Sequence, residues 1–197
     1  MDFRHATFMT SAARLDGTPP DQGAEVAFAG RSNAGKSSAI NRLTERRGLA
    51  RTSSTPGRTR LLNFFALDAG AALRLVDLPG YGYAKAPKSE QARWAALIER
   101  YLAERRSLRG LVLVADIRHA FKPGDEMMLD WARASELPLL ALLTKADKLK
   151  RGARAQSVAR ARSRLPANAE AVPFSATAGL GVDEARAWLH ARLDSPD

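Results

Sequence analysis

Gly30-Arg31-Ser32-Asn33-Ala34-Gly35-Lys36-Ser37 has the spacing G-x-x-x-x-G-K-[ST], between an apolar run at 26–29 and a segment able to start a helix at Lys36. That context is what a phosphate-cradling loop requires: glycines let the backbone turn several N–H groups toward one anion, and the helix adds its positive N-terminal end. Lys36 would reach the β- and γ-phosphates, and the Ser37 hydroxyl would take one position on Mg²⁺. The plain alternative is a Gly/Ser turn, which the strand before and the helix after disfavour.

Outward from that loop, the chain alternates strands and helices. Strands are expected at 24–29, 62–67, 72–76, 111–115, 139–143 and 169–174. Helices are expected at 36–44, 89–106, 124–135, 151–164 and 182–193. The short continuous apolar runs at 111–115 and 139–143 are what strands covered on both faces look like. The pattern implies an α/β fold with a mostly parallel, six-stranded sheet flanked by helices. Gly17, Pro19 and Pro20 mark residues 1–22 as an extension ahead of a single domain at 23–197, with Phe3, Phe8 and Met9 either packing on it or loosely held. Residues 46–60, polar, basic and broken by Pro56 and Gly57, read as a loop.

Composition narrows the chemistry. With 197 residues, 45% of them apolar and 26% charged, the chain suits one soluble globular domain. It has no cysteine, so disulfides, thiol catalysis and thiolate zinc sites are excluded, and His5, His119 and His190 are too scattered for a metal cluster. No signal-peptide core and no run of membrane-spanning length is visible, so a cytoplasmic, membrane-independent protein is expected. A net charge of +10 favours a polyanionic partner, although the excess of Arg over Lys with abundant Ala also fits a codon bias.

In such a sheet, ligands bind outside the carboxyl ends of the strands, and each remaining special stretch follows a strand end. Asp77-Leu78-Pro79-Gly80 suits a water-mediated contact to Mg²⁺ from Asp77 and a γ-phosphate contact from the Gly80 amide. In Thr144-Lys145-Ala146-Asp147, the Asp147 carboxylate can accept two hydrogen bonds from guanine N1–H and the 2-amino group, a donor pair adenine lacks. Lys145 would lay its stem over the base. In Ser175-Ala176-Thr177, the Ala176 amide would meet guanine O6 while Ser175 braces the turn.

With these residues assembled, the chain resembles the Ras-like P-loop GTPases, and more closely the EngB (YihA/YsxC) family of ribosome-assembly GTPases, over about residues 24–193. The resemblance rests on the phosphate loop through Ser38, Thr55-Pro56-Gly57-Arg58-Thr59, Asp77-Leu78-Pro79-Gly80-Tyr81-Gly82-Tyr83-Ala84, Asp116-Ile117-Arg118-His119 and Thr144-Lys145-Ala146-Asp147. It implies a Ras-like fold, GTP and GDP as ligands, Mg²⁺ held by Ser37 and Thr59, and Gly57, Arg58, Thr59, Arg60 and Leu61 as the switch that closes over the γ-phosphate. Lys36, Thr59 and Gly80 are the implied catalytic groups. The implied role is maturation of the large ribosomal subunit through its precursor and rRNA, with consequences for growth, cell division and septation, by a protein expected to be monomeric.

Three positions depart from common GTPase patterns. Thr144 stands where many GTPases carry Asn, so modest nucleotide affinity is expected, and Thr177 carries little weight. Tyr81 replaces a water-orienting glutamine, so slow intrinsic hydrolysis is expected. Asn33 is a candidate K⁺ ligand, or simply a residue tolerant of the turn. Basic residues gather at Arg46, Arg47, Arg51, Arg58 and Arg60, and again at Lys148, Lys150, Arg151, Arg154, Arg160, Arg162 and Arg164. The first group would move with the switch loop and link nucleotide state to a basic surface, whereas the second reads as an RNA contact or as a solvated helix face. Tyr81 to Lys85 reads as a base-stacking segment or as packing. Competing readings are a P-loop kinase or ATPase, and a signalling-type GTPase with protein effectors; the last five residues, 193–197, offer no prenylatable cysteine.

Overall fold

The computed structural model describes residues 2–50, 61–82 and 88–194. Its centre is β2 (Ala24–Gly30), buried at every position, as a strand with neighbours on both edges and helices on both faces must be. Parallel to it run β4 (Leu73–Asp77), β5 (Leu108–Asp116), β6 (Leu139–Thr144) and β7 (Ala169–Pro173). β3 (Leu62–Ala66) pairs antiparallel with β4, and β1 (Thr7–Ala12) antiparallel with β3. The order across the sheet is β1-β3-β4-β2-β5-β6-β7.

The helices are α1 (Lys36–Leu43), α2 (Lys88–Glu104), α3 (Pro123–Ala134), α4 (Arg151–Arg162) and α5 (Val182–Leu193). Strand alternation sends them to two faces. Leu111, Leu113, Leu139, Ala141 and Leu143 pack with Ile98 and Tyr101 of α2, Met128 and Leu129 of α3, and Ala161 of α4. The intervening Val112, Val114, Leu140 and Leu142 pack with Ile40 and Leu43 of α1 and with Trp188 and Leu189 of α5. Among the described residues no helix is long and apolar enough to cross a membrane.

The expected six strands are corrected to seven. Residues 7–12 pair with β3 in a ladder from Thr7 opposite Ala66 to Ala12 opposite Leu62, with an irregularity between Phe8 and Thr10. An edge strand meets the sheet along one side only, so just Ala12 of the six is buried and no apolar alternation betrays it. Just before it, Phe3 is buried with its ring edge-on to His190 of α5, 4.8 Å between centroids. Phe8 and Met9 remain exposed.

At the amino end of β2 lies a buried charge cluster. Glu25, with no exposed surface, accepts from Arg74 Nε at 2.7 Å, Arg105 Nη2 at 2.7 Å, Arg105 Nε at 3.0 Å and Tyr101 Oη at 2.9 Å. The same arginines donate to the carbonyls of Pro20, Gln22 and Ala71, tying the segment before β2 to the sheet. Beside them Asp21 accepts from the Ser107 N–H at 2.9 Å and the Arg106 N–H at 3.2 Å. Burial alone would raise the Asp21 pKa, but these bonds outweigh it and hold the group at about 2. A depressed folded-state pKa stabilises the fold above the ordinary value of about 4 and loses that contribution as pH falls through about 2. Thermal melts of Asp21→Asn should therefore lose less stability than wild type over that acid window, and identical slopes would contradict this.

Candidate functional site

The carboxyl ends of β2, β4, β5 and β6 bring the special stretches together. Gly30 ends β2 so close to β5 that a Cβ on it would lie 2.6 Å from the Val114 carbonyl oxygen, which requires glycine. The loop then curls through Asn33 (φ +64°) and Gly35 (φ +99°) into α1. Lys36, in the first turn of α1, points back over the loop as helix geometry dictates. Its Nζ donates to the Leu78 carbonyl at 2.8 Å and to the Asp77 carboxylate at the end of β4; both charged groups are buried. Gly80 abuts the loop, since a Cβ there would sit 3.3 Å from Ser32 Oγ. The Ser32 N–H donates to the Tyr81 carbonyl at 3.1 Å and the Tyr81 N–H to the Gly30 carbonyl at 3.4 Å.

The second loop is tied directly to the first. Thr144 ends β6, and its buried hydroxyl reaches the Ala34 carbonyl and the Ala115 carbonyl, the latter at 3.1 Å, sharing one proton between two acceptors. Lys145, at φ +59°, donates through Nζ to the Asn33 carbonyl at 2.9 Å and pairs with Asp116 at 3.0 Å. Burial would raise the Asp116 pKa, but Arg118 at 2.7 Å and Lys145 hold it well below the usual carboxylate range. Buried Ala146 donates its N–H to the Phe174 carbonyl at 3.0 Å, setting this loop beside the last one. There Ser175 Oγ donates to Asp147 at 2.7 Å, accepts from the Ala178 N–H at 3.1 Å and lies 3.1 Å from Thr177 Oγ1. The Ser175 bond lowers the Asp147 pKa, so an ionised, oriented acceptor stands on the rim.

Of the residues expected in the site, 30–37, 77–80, 144–147 and 175–177 lie along this rim, and Leu61 directly precedes β3. Gly57, Arg58, Thr59 and Arg60, like Tyr83, Ala84 and Lys85, lie outside the described residues. Two acidic residues escaped the sequence reading of the site. Asp116, which opens the stretch 116–119, holds Lys145 and Arg118. Asp125, buried in the first turn of α3, accepts from Tyr81 Oη at 2.7 Å. The Tyr81 ring lies against Gly124, where a Cβ would come within 2.7 Å, and burial raises its phenol pKa further above the ordinary range.

A family model described as "50S ribosome-binding GTPase" matches residues 25–145, more than half the chain. "Probable GTP-binding protein EngB" of Coxiella burnetii is 50% identical over 190 residues, covering 95% of this chain and 92% of that protein. The protein of the same name from Idiomarina loihiensis is 49% identical over 193 residues, covering 96% and 93%. The chain belongs to the EngB family of P-loop GTPases. The crystal structure of a probable GTP-binding protein engB superposes with a TM-score of 0.69 at 23% identity, over 87% of this chain and 99% of that one. A variant of Aquifex aeolicus Era bound to GDP·AlF4⁻ superposes at 0.65 with 20% identity, over 89% and 58%, a likeness of fold alone.

The donor set of this EngB-family site can be tested against Mg²⁺. Among the described residues no three His, Asp or Glu side chains gather to hold a metal by themselves. With Asp125 engaged by Tyr81, what the rim offers is the Ser37 hydroxyl of the first turn of α1 and the buried Asp77 carboxylate. That sparse set fits Mg²⁺, which takes few protein ligands and completes its shell with phosphate oxygens and water.

In this EngB-family chain the Thr144 hydroxyl ties the end of β6 to the phosphate loop. Isosteric Thr144→Val removes the bond to the Ala34 carbonyl without opening a cavity. It should weaken GDP binding by about fivefold to tenfold, the value of roughly one net hydrogen bond. Fluorescence titration with a labelled GDP checks this, and an unchanged affinity would show that the brace is idle.

Proposed function

We propose that this EngB-family protein is a GTP-controlled, Mg²⁺-dependent switch with slow intrinsic hydrolysis, acting in the cytoplasm on assembly of the large ribosomal subunit and thereby supporting growth, division and septation. The observation that carries it is the pair of bonds from Thr144 and Lys145 to the carbonyls of Ala34 and Asn33. They lock the loop suited to guanine onto the loop suited to phosphates, so one nucleotide is gripped at both ends.

Bound with the nucleotide, Mg²⁺ offsets charge on the β- and γ-phosphates; Ser37 and Thr59 would hold it, with Asp77 acting through water. Lys36 exchanges its Asp77 partner for phosphate oxygens, and this releases Asp77 for that role. Asp147, oriented by Ser175, accepts from the guanine edge; adenine offers no matching donors and leaves a polar group unpaired. Tyr81, engaged with Asp125, orients no attacking water, which supports slow turnover. Asn33 is exposed in the phosphate loop and is the proposed ligand for K⁺ in place of an arginine finger. Equal turnover in potassium and sodium buffers would remove that part.

The basic helix α4, which has no acidic residue, supports an rRNA partner. The test is displacement of labelled GDP by GTP and by ATP, followed by co-sedimentation with ribosomal subunits across salt concentrations. GTP alone should compete, and binding to the large subunit should rise with a GTP analogue and fall steeply with salt. Competition by ATP would point to a metabolic ATPase or kinase, and absence from ribosomal particles to a switch with protein effectors.

A further inference from the structure

The Asp116-Ile117-Arg118-His119 stretch has a second face. Behind the guanine-side loop, Arg118 lines a cleft of about 400 Å³ together with Arg160 and Ser157 of α4 and Ser163 and Arg164 just beyond it. The charge there is uneven. Among the described residues Arg151, Arg154, Arg160 and Arg162 make no ion pair, and Arg160 has only the Ser157 hydroxyl, at 3.3 Å. Arg164 is preorganised: it donates to the carbonyls of Ala120 at 3.2 Å and Phe121 at 3.0 Å, pairs with Glu126, and lies over the Phe121 ring at 5.4 Å. Three guanidiniums and two serine hydroxyls lining one cleft are a donor set that suits the tetrahedral oxygens of a phosphodiester.

The cleft also has a wire to the nucleotide site. Arg118 donates to both oxygens of Asp116, through Nε at 2.9 Å and Nη2 at 2.7 Å; Asp116 pairs with Lys145 at 3.0 Å; Lys145 holds the Asn33 carbonyl of the phosphate loop at 2.9 Å. A second anion beside Arg118 competes with Asp116 for that guanidinium. Once Arg118 is shared, Lys145 is the chief charged partner left to Asp116, and its hold on both loops tightens.

We propose that the Arg118–Arg160–Arg164 cleft binds a backbone phosphate of RNA and that the Arg118–Asp116–Lys145 chain makes this binding and guanine-nucleotide binding strengthen each other. The proposal rests on the RNA partner of the preceding section and gives it a contact and a coupling. Coupling is reciprocal by thermodynamic necessity, so either ligand can be the reporter.

The experiment uses the full chain, a short fluorescein-labelled oligouridylate and a fluorescent GDP. Arg160→Glu should bind the RNA about tenfold more weakly, with a salt slope smaller by about one, while its GDP affinity without RNA stays at the wild-type value. Saturating oligouridylate should tighten wild-type GDP binding by about fivefold, and Arg118→Ala should abolish that gain. Wild-type RNA affinity and slope in Arg160→Glu would overturn the cleft, and persistent coupling in Arg118→Ala would overturn the chain. Binding to vesicles containing phosphatidylglycerol, without binding to RNA, would replace RNA by a membrane and defeat the proposal. A wild-type protein that binds GDP but no RNA sinks the RNA partner itself, whereas one that binds no GDP sinks the GTPase reading.

Discussion

Lys36→Met should bind a labelled non-hydrolysable GTP analogue about a thousandfold more weakly than wild type, because it removes two charge-assisted bonds to phosphate, each contributing about 1.5–3 kcal/mol. The variant should also melt early, for a reason that has nothing to do with ligand. In the free protein Lys36 is the counter-charge of Asp77, with side chains only 9% and 5% exposed. Removing one member of a buried pair leaves the other uncompensated, typically at a cost of about 3–5 kcal/mol. Both effects can be separated. Lys36→Met with Asp77→Asn should recover most of the lost melting temperature and none of the affinity. Binding within tenfold of wild type in the single variant would mean that the phosphates are gripped elsewhere.

The second large effect lies at the far end of the neighbouring strand, β2. Glu25→Ala should lower the stability by about 3–5 kcal/mol, because it strands the guanidiniums of Arg74 and Arg105 in the interior. Those side chains are 4% and 6% exposed. For a chain of this size the melting temperature should fall by about 10 °C. Glu25→Gln keeps one acceptor oxygen but turns an amide donor toward an arginine, so it should fall between. Replacing Glu25, Arg74 and Arg105 together with apolar residues of similar volume should recover much of the loss, since a buried ion network seldom exceeds an apolar core in stability. A Glu25→Ala protein that melts with wild type would show the cluster to be solvated in solution.

Much of this was legible in the residues. The phosphate loop declared itself because its chemistry fixes glycine, lysine and serine at set spacings, and the guanine loop because Thr144-Lys145-Ala146-Asp147 directly follows an apolar run and carries a carboxylate suited to a donor pair that adenine lacks. The helix bounds agreed to within two residues, since apolar periodicity and caps are local signals. What escaped was non-local. Thr7–Ala12 becomes a strand only by meeting β3, which lies far along the chain. Lys36 and Asp77 were each assigned to a ligand, so their bond to one another went unforeseen. Thr144 is short by its length, yet its hydroxyl reaches the Ala34 carbonyl because the phosphate loop passes so close that even a Cβ on Gly35 would stand 3.5 Å from Thr144 Oγ1. Asp116 was visible only as a letter in a motif until Lys145, on the next strand's loop, was seen beside it.

β2 carries Glu25 at one end and Gly30 at the other, about 17 Å apart at the usual rise of a strand. Substitutions that far apart with no shared partner act additively. Durability and grip are therefore separate dials on one strand: the chain can be tuned for warmer or colder surroundings at its amino end while the carboxyl end keeps its setting.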